Sequence, residues 1–306
     1  MKRWICLGLC LCLAFLCGCA APNNTEGLSV VSTIFPYYDF AKEIAGAGGQ
    51  VTMLLSPGGE VHGFEPTLED LRAIETCDVF LYNGGEGDGW VEDLLQGMDV
   101  SNKQVVRLMD HVELLAVGEE EHHHHHDHGL EEADEHIFTT PKNALQIAKV
   151  ICDAMKKADP AQSERFENNY ARLQQNLQKL EQDYEGLRQG KGCLVVADRF
   201  PFLYLTQEYH LSYVAAFSGC SSNTEADLKT IYELKTAAQK QGATPIVFCT
   251  EFSDQKLANT VAQSLGGQVK VWHSCHNVTQ EQWEQQVTYV ALMEQNLKEM
   301  KEALLL

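Results

Sequence analysis

The sequence predicts an α/β fold of two lobes, each a parallel sheet flanked by helices, joined by one long rigid helix. Three observations carry this. From Leu28 onward, short β-branched runs alternate with helical segments. Next comes a single apolar stripe, Phe166, Tyr170, Leu173, Leu177, Leu180, Tyr184 and Leu187, at steps of 4, 3, 4, 3, 4 and 3. After Gly190 the alternation resumes. Strands separated by helices pair in parallel and are covered on both faces. An apolar step near 3.5 marks one face of a helix. A stripe of only about four heptads between two α/β segments reads as a spacer against which both lobes pack, rather than as a dimer arm.

The first lobe spans residues 28–158. Leu28 to Phe35 (LSVVSTIF) reads as a buried strand, and Pro36, whose fixed φ suits a first helical turn, opens PYYDFAKEIAG. Gln50 to Ser56 is the next strand, stopped by Pro57-Gly58-Gly59. Thr67 and Asp70 are spaced as a capping pair for TLEDLRAIETC. Val79 to Tyr82 and Val105 to Met109 are further strands, and Pro141 to Lys157 is a helix. Residues 159–190 form the connecting helix, opened by Asp159-Pro160 and closed by Gly190. At ~1.5 Å per residue it is about 45 Å long. The second lobe, 191–306, has strands at Gly192 to Ala197, Ser212 to Phe217, Pro245 to Thr250 and Gln268 to Trp272. Its helices are expected at Thr224 to Gln241, Ser253 to Leu265 and Thr279 to Leu305, the last with a Thr279/Gln282 capping box. Open sheets of this kind bind ligands beyond the carboxyl ends of their strands, so the cleft between the lobes is the expected site.

Residues 1–19 read as a signal peptide: Lys2 and Arg3, then an apolar run too short to span a membrane, which takes ~20 apolar residues. The run ends in Leu16-Cys17-Gly18-Cys19, which resembles the lipoprotein processing box of bacteria and would make Cys19 the acylated first residue. Residues 20–27 (AAPNNTEG) are a polar tether. That places the chain on the outer face of the cytoplasmic membrane, held by lipid alone. Its 43 acidic against 23 basic residues give a net charge of −20. This argues against nucleic acid, whose phosphates need clustered Lys and Arg, and suits a protein that attracts cations. There is no CxxC pair, hence no zinc ribbon or thioredoxin-type motif.

One stretch has no apolar period at all. Residues 119–135 form an acidic loop around His122, His123, His124, His125, His126 and His128. Neutral imidazole is the commonest ligand for borderline metals, and flanking carboxylates raise the local cation concentration. An internal, acid-framed run of five histidines is unlike a purification tag. It reads as a weak metal-collecting loop, with the tight site elsewhere. Four histidines lie in strand-to-helix loops, where a cleft site is built: His62, His136, His273 and His276. His111 and His210 have no such setting. A set of three or four imidazoles with one carboxylate favours zinc over manganese, which prefers more oxygen.

Several of these segments together resemble the zinc/manganese class of solute-binding lipoproteins of bacterial ABC importers. HGFEP at 62–66 resembles that family's His-x-x-Glu-Pro loop, and DEHIF at 134–138 its Asp-Pro-His-x-Trp motif, with Glu135 for Pro and Phe138 for Trp. NGGEGDGW at 83–90 resembles its Asn-Gly segment leading to a Trp, and an acidic His-rich insertion is typical of its zinc-specific members. The resemblance spans about Leu28 to Leu305 and implies two α/β lobes on one rigid helix with a metal in the cleft. It implies His62, His136 and His276 as ligands. The family's third position, a His or Glu after the first strand of the second lobe, falls on Arg199, which cannot coordinate zinc. His273, Asp198 and Glu251 are then candidates for the fourth. An ion pair between Asp198 and Arg199 at the lobe interface is the competing expectation for these two; Cys220 and Cys275 are a candidate disulfide, or Cys275 a thiolate ligand.

The function implied is a monomeric, non-enzymatic protein that captures Zn²⁺, with Mn²⁺ as the alternative cargo, and passes it to an ABC permease and its ATPase subunit. Two other classes compete. A zinc hydrolase needs an open coordination position and a base, for which Glu65 is placed, but HExxH is absent. A surface adhesin would need a partner-binding patch that the sequence does not mark.

Overall fold

The structure is a computed structural model that describes residues 27–61, 63–117, 133–219 and 227–306. Its first lobe is a four-stranded parallel sheet in the order β2-β1-β3-β4. The strands are β1 (Leu28–Ser32), β2 (Gly49–Met53), β3 (Val79–Tyr82) and β4 (Gln104–Arg107). The second repeats the arrangement in the order β6-β5-β7-β8. Its strands are β5 (Cys193–Val196), β6 (Ser212–Ala215), β7 (Ile246–Cys249) and β8 (Gln268–Val271). Of the interior strands β1, β3, β5 and β7, the last three are buried at every residue, which is why VFLY, CLVV and IVFC carry no polar alternation.

Helices α1 (Phe35–Ala45), α2 (Leu68–Thr76), α3 (Gly89–Gly97) and α4 (Pro141–Ala158) belong to the first lobe. α6 (Leu203–Glu208), α7 (Leu228–Lys240), α8 (Lys256–Leu265), α9 (Gln280–Glu284) and α10 (Tyr289–Ala303) belong to the second. Between them runs α5 (Ser163–Glu185), with 3₁₀ turns at Pro160–Gln162 and Gly186–Gln189. The apolar stripe is buried along its whole length, from Phe166 to Leu187. One continuous core runs from Val30 and Phe40, under Leu173 and Leu177, to Leu194 and Trp272 in the other lobe. Among the described residues no helix is long and apolar enough to cross a membrane.

Several bounds shift, three of them for a visible reason. The first strand stops at Ser32, because Ile34 is already the extended N-cap of a helix that begins at Phe35. The expected single helix from Thr279 is two, broken where Gln286 turns left-handed at φ 54° and Thr288 caps α10 anew. The expected Thr224 start falls at Leu228, capped by Asp227. The capping boxes at Thr67/Asp70 and Thr279/Gln282 form as expected.

The lobes are stitched together by main-chain bonds. The N–H of Gly58 donates to the carbonyl of Val278 at 2.8 Å, and that of Phe35 to the carbonyl of His276 at 3.2 Å. The Asn277 amide donates to the carbonyls of Ser56 and Gly59 at 2.8 and 3.0 Å. At the head of α10 the N–H of Tyr289 donates to the buried carboxylate of Asp39 at 2.7 Å, while its hydroxyl donates to the carbonyl of Phe138 at 2.7 Å.

Candidate metal centre

His136 stands just before the 3₁₀ turn Ile137–Thr139 that leads into α4. The carboxylate of Asp134 accepts from its backbone N–H at 2.8 Å and lies 3.0 Å from its Nδ1. A carboxylate accepting at Nδ1 favours the tautomer whose Nε2 can coordinate a metal, and His136 lines the inter-lobe cavity. The loop beneath is held by NGGEGDGW. The Asn83 amide donates to the carbonyl of Glu135 at 2.9 Å, and the Glu135 carboxylate accepts from the N–H of Gly87 at 3.0 Å. Asp88 accepts from the N–H of Asn83 and Gly84 at 2.6 and 3.2 Å and from the Thr33 hydroxyl at 3.1 Å. Burial pushes its carboxyl up to about 6 despite these bonds. Gly85 is required here: its φ is +86°, and a Cβ would lie 2.8 Å from the Cβ of Glu135. The Asn-Gly motif is thus the buttress of His136.

His276 comes from the opposite lobe, in the loop between β8 and α9. Cys275 before it is left-handed at φ 66°. That kink is supported by His273, whose Nδ1 accepts from the N–H of Cys275 at 3.0 Å. His273 Nε2 faces the Gln282 side chain at 3.4 Å, and its own N–H donates to Asn296 of α10 at 2.8 Å. Both ring nitrogens of His273 are engaged inside the second lobe, and the residue does not line the cleft. Its part is to shape the loop that presents His276. The His136 and His276 rings meet across the lobes with centroids 5.6 Å apart and planes at 81°. Two imidazoles bound tetrahedrally at ~2.0–2.1 Å would have centroids roughly 5 Å apart. Phe138 packs on His276 at 5.2 Å, closing one side of the pair.

The carboxylate candidates are placed otherwise. Asp198 accepts from the N–H of Arg199 at 2.8 Å and from the N–H and hydroxyl of Thr250 at 2.9 and 2.8 Å, pinning the ends of β5 and β7 together. Glu251 accepts from the N–H and hydroxyl of Ser274 at 2.9 and 2.6 Å. Both line the cavity, yet their oxygens are engaged by the loops they hold. Arg199 does not pair with Asp198; its guanidinium reaches across the cleft to Glu60 of the first lobe at 3.6 Å. Cys275 is a free, fully buried thiol, raised well above its usual range by burial. Cys220, His62, Cys19 and the run from His122 to His128 lie outside the described residues. Among the described residues, no group of three His, Cys, Asp or Glu side chains is gathered closely enough to hold an ion.

Around the histidine pair opens a cavity of about 680 Å³, walled by Leu55, Glu60 and Val61 on one side and by Arg199, Thr250 and Ser253 on the other. Two like sheets, a shared helical spine and imidazoles converging from both halves define the class of two-lobed solute-binding proteins. The chain belongs to the family described as ZnuA, zinc-uptake complex component A, periplasmic, which matches residues 30–303. It is 32% identical, over 99% of its length, to the zinc-binding lipoprotein AdcA of Streptococcus pneumoniae (strain ATCC BAA-255 / R6), and covers 61% of that relative. Over 99% of its length it is 29% identical to the high-affinity zinc uptake system protein ZnuA of Bacillus subtilis (strain 168), covering 98% of it. Among solved structures, the Zn(II)-bound ZnuA-like domain of pneumococcal AdcA superposes with a TM-score of 0.77 at 29% identity, covering 91% of this chain and 99% of that domain. The chain therefore spans about three fifths of its pneumococcal relative and nearly all of the Bacillus one.

Proposed function

We propose that the protein captures one Zn²⁺ in the inter-lobe cleft and delivers it to the permease of an ABC importer driven by its ATPase subunit. The observation that carries this is the His136–His276 pair, one imidazole from each lobe, 5.6 Å apart and crossed at 81°. His62 follows the cavity-lining Val61 in the chain and is assigned as the third ligand. Zinc is favoured over manganese because the donors are nitrogens, while the cleft's carboxylates Asp198 and Glu251 are engaged in hydrogen bonds. A binding rather than a catalytic role follows the named roles of the relatives in zinc binding and uptake. Anchoring through Cys19 places capture outside the cytoplasmic membrane, with residues 119–135 as an accessory collector.

Zinc titration calorimetry of the mature chain tests this. One tight zinc per chain is expected, lost in His136→Ala and in His276→Ala, and kept when residues 119–128 are deleted. Tight binding that survives both histidine substitutions would refute the site; tight binding that vanishes with the deletion would move it to the His-rich segment.

A further inference from the structure

The loop that presents His276 is fastened across the seam, to the lobe it does not come from. The N–H of Phe35 donates to the carbonyl of His276 at 3.2 Å, and that of Gly58 to the carbonyl of Val278 at 2.8 Å. Between those two residues stands Asn277, only 1% exposed. Its Nδ2 donates to the carbonyls of Ser56 and Gly59 at 2.8 and 3.0 Å, and its Oδ1 accepts from the N–H of Val278 at 2.8 Å. Both donors of the amide therefore go to the first lobe, while its oxygen shapes the turn that follows His276. The two acceptors close one turn after β2, in which the N–H of Gly59 donates to the carbonyl of Ser56 at 2.8 Å. That turn leads into Glu60 and Val61, which wall the cavity. Further along, Trp283 of α9 packs on Tyr38 of α1 with ring centroids 4.9 Å apart. Ties of the loop to its own lobe lie before the left-handed Cys275: Asn296 holds the N–H and the carbonyl of His273, and Glu251 holds Ser274.

His136, the other imidazole of the pair, is carried by the first lobe. We infer that Asn277 is a positioning residue for metal capture: its amide references His276 to the same lobe as His136, and so sets the spacing of the two rings before an ion arrives. All its partners are main-chain atoms, which cannot swing away as side chains do. Outer groups of this kind orient ligands without touching the metal. The inference rests on the zinc-capture reading above.

Calorimetric zinc titration and visible spectroscopy of the Co²⁺-loaded mature chain test it together. Asn277→Ala is expected to keep one metal per chain and to weaken zinc binding about 10–100-fold. It should also shift the Co²⁺ ligand-field bands, because one nitrogen donor is held differently. Leu177→Ala disturbs the core of α5 and lines no part of the cavity. Its folded form is expected to keep wild-type affinity and bands. Wild-type affinity and bands in Asn277→Ala would overturn the inference. So would weakened binding with unshifted bands, the mark of a purely structural role. If Asn277→Ala does not fold, Asn277→Ser decides. Its hydroxyl keeps one donor for the seam, so a smaller loss with shifted bands is expected, and wild-type values there overturn the inference as well. A wild type that binds no zinc tightly would instead overturn zinc capture, and the positioning role with it.

Discussion

Asp134 illustrates how one side chain sets the chemistry of another. By accepting at Nδ1 it favours the tautomer of His136 that can coordinate through Nε2, and it helps to orient the ring before any ion arrives. Asp134→Ala is expected to leave one zinc per chain but weaken its binding about 10–100-fold in calorimetric titration; an unchanged affinity would show that the buttress from Asn83 and Glu135 orients the ring by itself. At this scale the sequence was partly legible. His136 and His276 stand out because each sits in a loop after a strand, with a family motif around the first. The different roles of His273 and His276 were not legible. They share a loop and a residue type, and what separates them is a left-handed Cys275 and an amide from Asn296, two dozen residues downstream. Nor could spacing reveal that Arg199 finds Glu60, because that contact exists only once the two lobes are assembled.

Among the elements, α5 was the most legible, since seven apolar residues at helical steps, six in α5 and Leu187 in the turn that ends it, leave no other way to bury them. All seven are buried, with Leu173 and Leu177 fully enclosed midway between the lobes. Polar side chains fix its ends: Asn169 donates to the carbonyl of Ile44 in the first lobe at 2.9 Å, and Tyr184 to the carbonyl of Met293 in the second at 2.8 Å. Leu177→Ala should cost about 2–5 kcal/mol of stability, read as a lower urea midpoint in a single transition, because the core it opens is common to both lobes. Two separated transitions would show that the lobes unfold independently. The divided C-terminal helix was illegible for the opposite reason. Its apolar period runs through the break, and only the backbone of Gln286 interrupts it.

For the whole molecule, the contact between Asp39 and the head of α10 ties the first helix of one lobe to the last helix of the other. Burial raises the Asp39 carboxyl to about 7, offset only in part by the bond from Tyr289. In the unfolded chain an aspartate titrates near ~3.9. Below that value both states are protonated. As pH rises from there to about 7, the unfolded chain releases a proton that the folded one retains, so stability falls across the window and stays lowered above it. Asp39→Asn keeps an acceptor for Tyr289 and removes the charge. It should therefore stabilise the protein at pH 8 by on the order of 3 kcal/mol, with the gain shrinking toward nothing near pH 4. Urea midpoints at both pH values measure it, and an equal gain at both would show that the effect is not electrostatic.

The hydroxyl of Tyr204 accepts from the N–H of Leu115 at 3.1 Å and donates to the carbonyl of Asp134 at 2.9 Å, while Ala116 bridges Ala133 beside it. Leu115, Ala116 and Ala133, the described residues that flank the histidine-rich sequence, are therefore fastened to the segment that carries Asp134 and His136. A change at Tyr204, in the second lobe, would thus be felt at the main chain two residues before His136, with no contact to that imidazole itself.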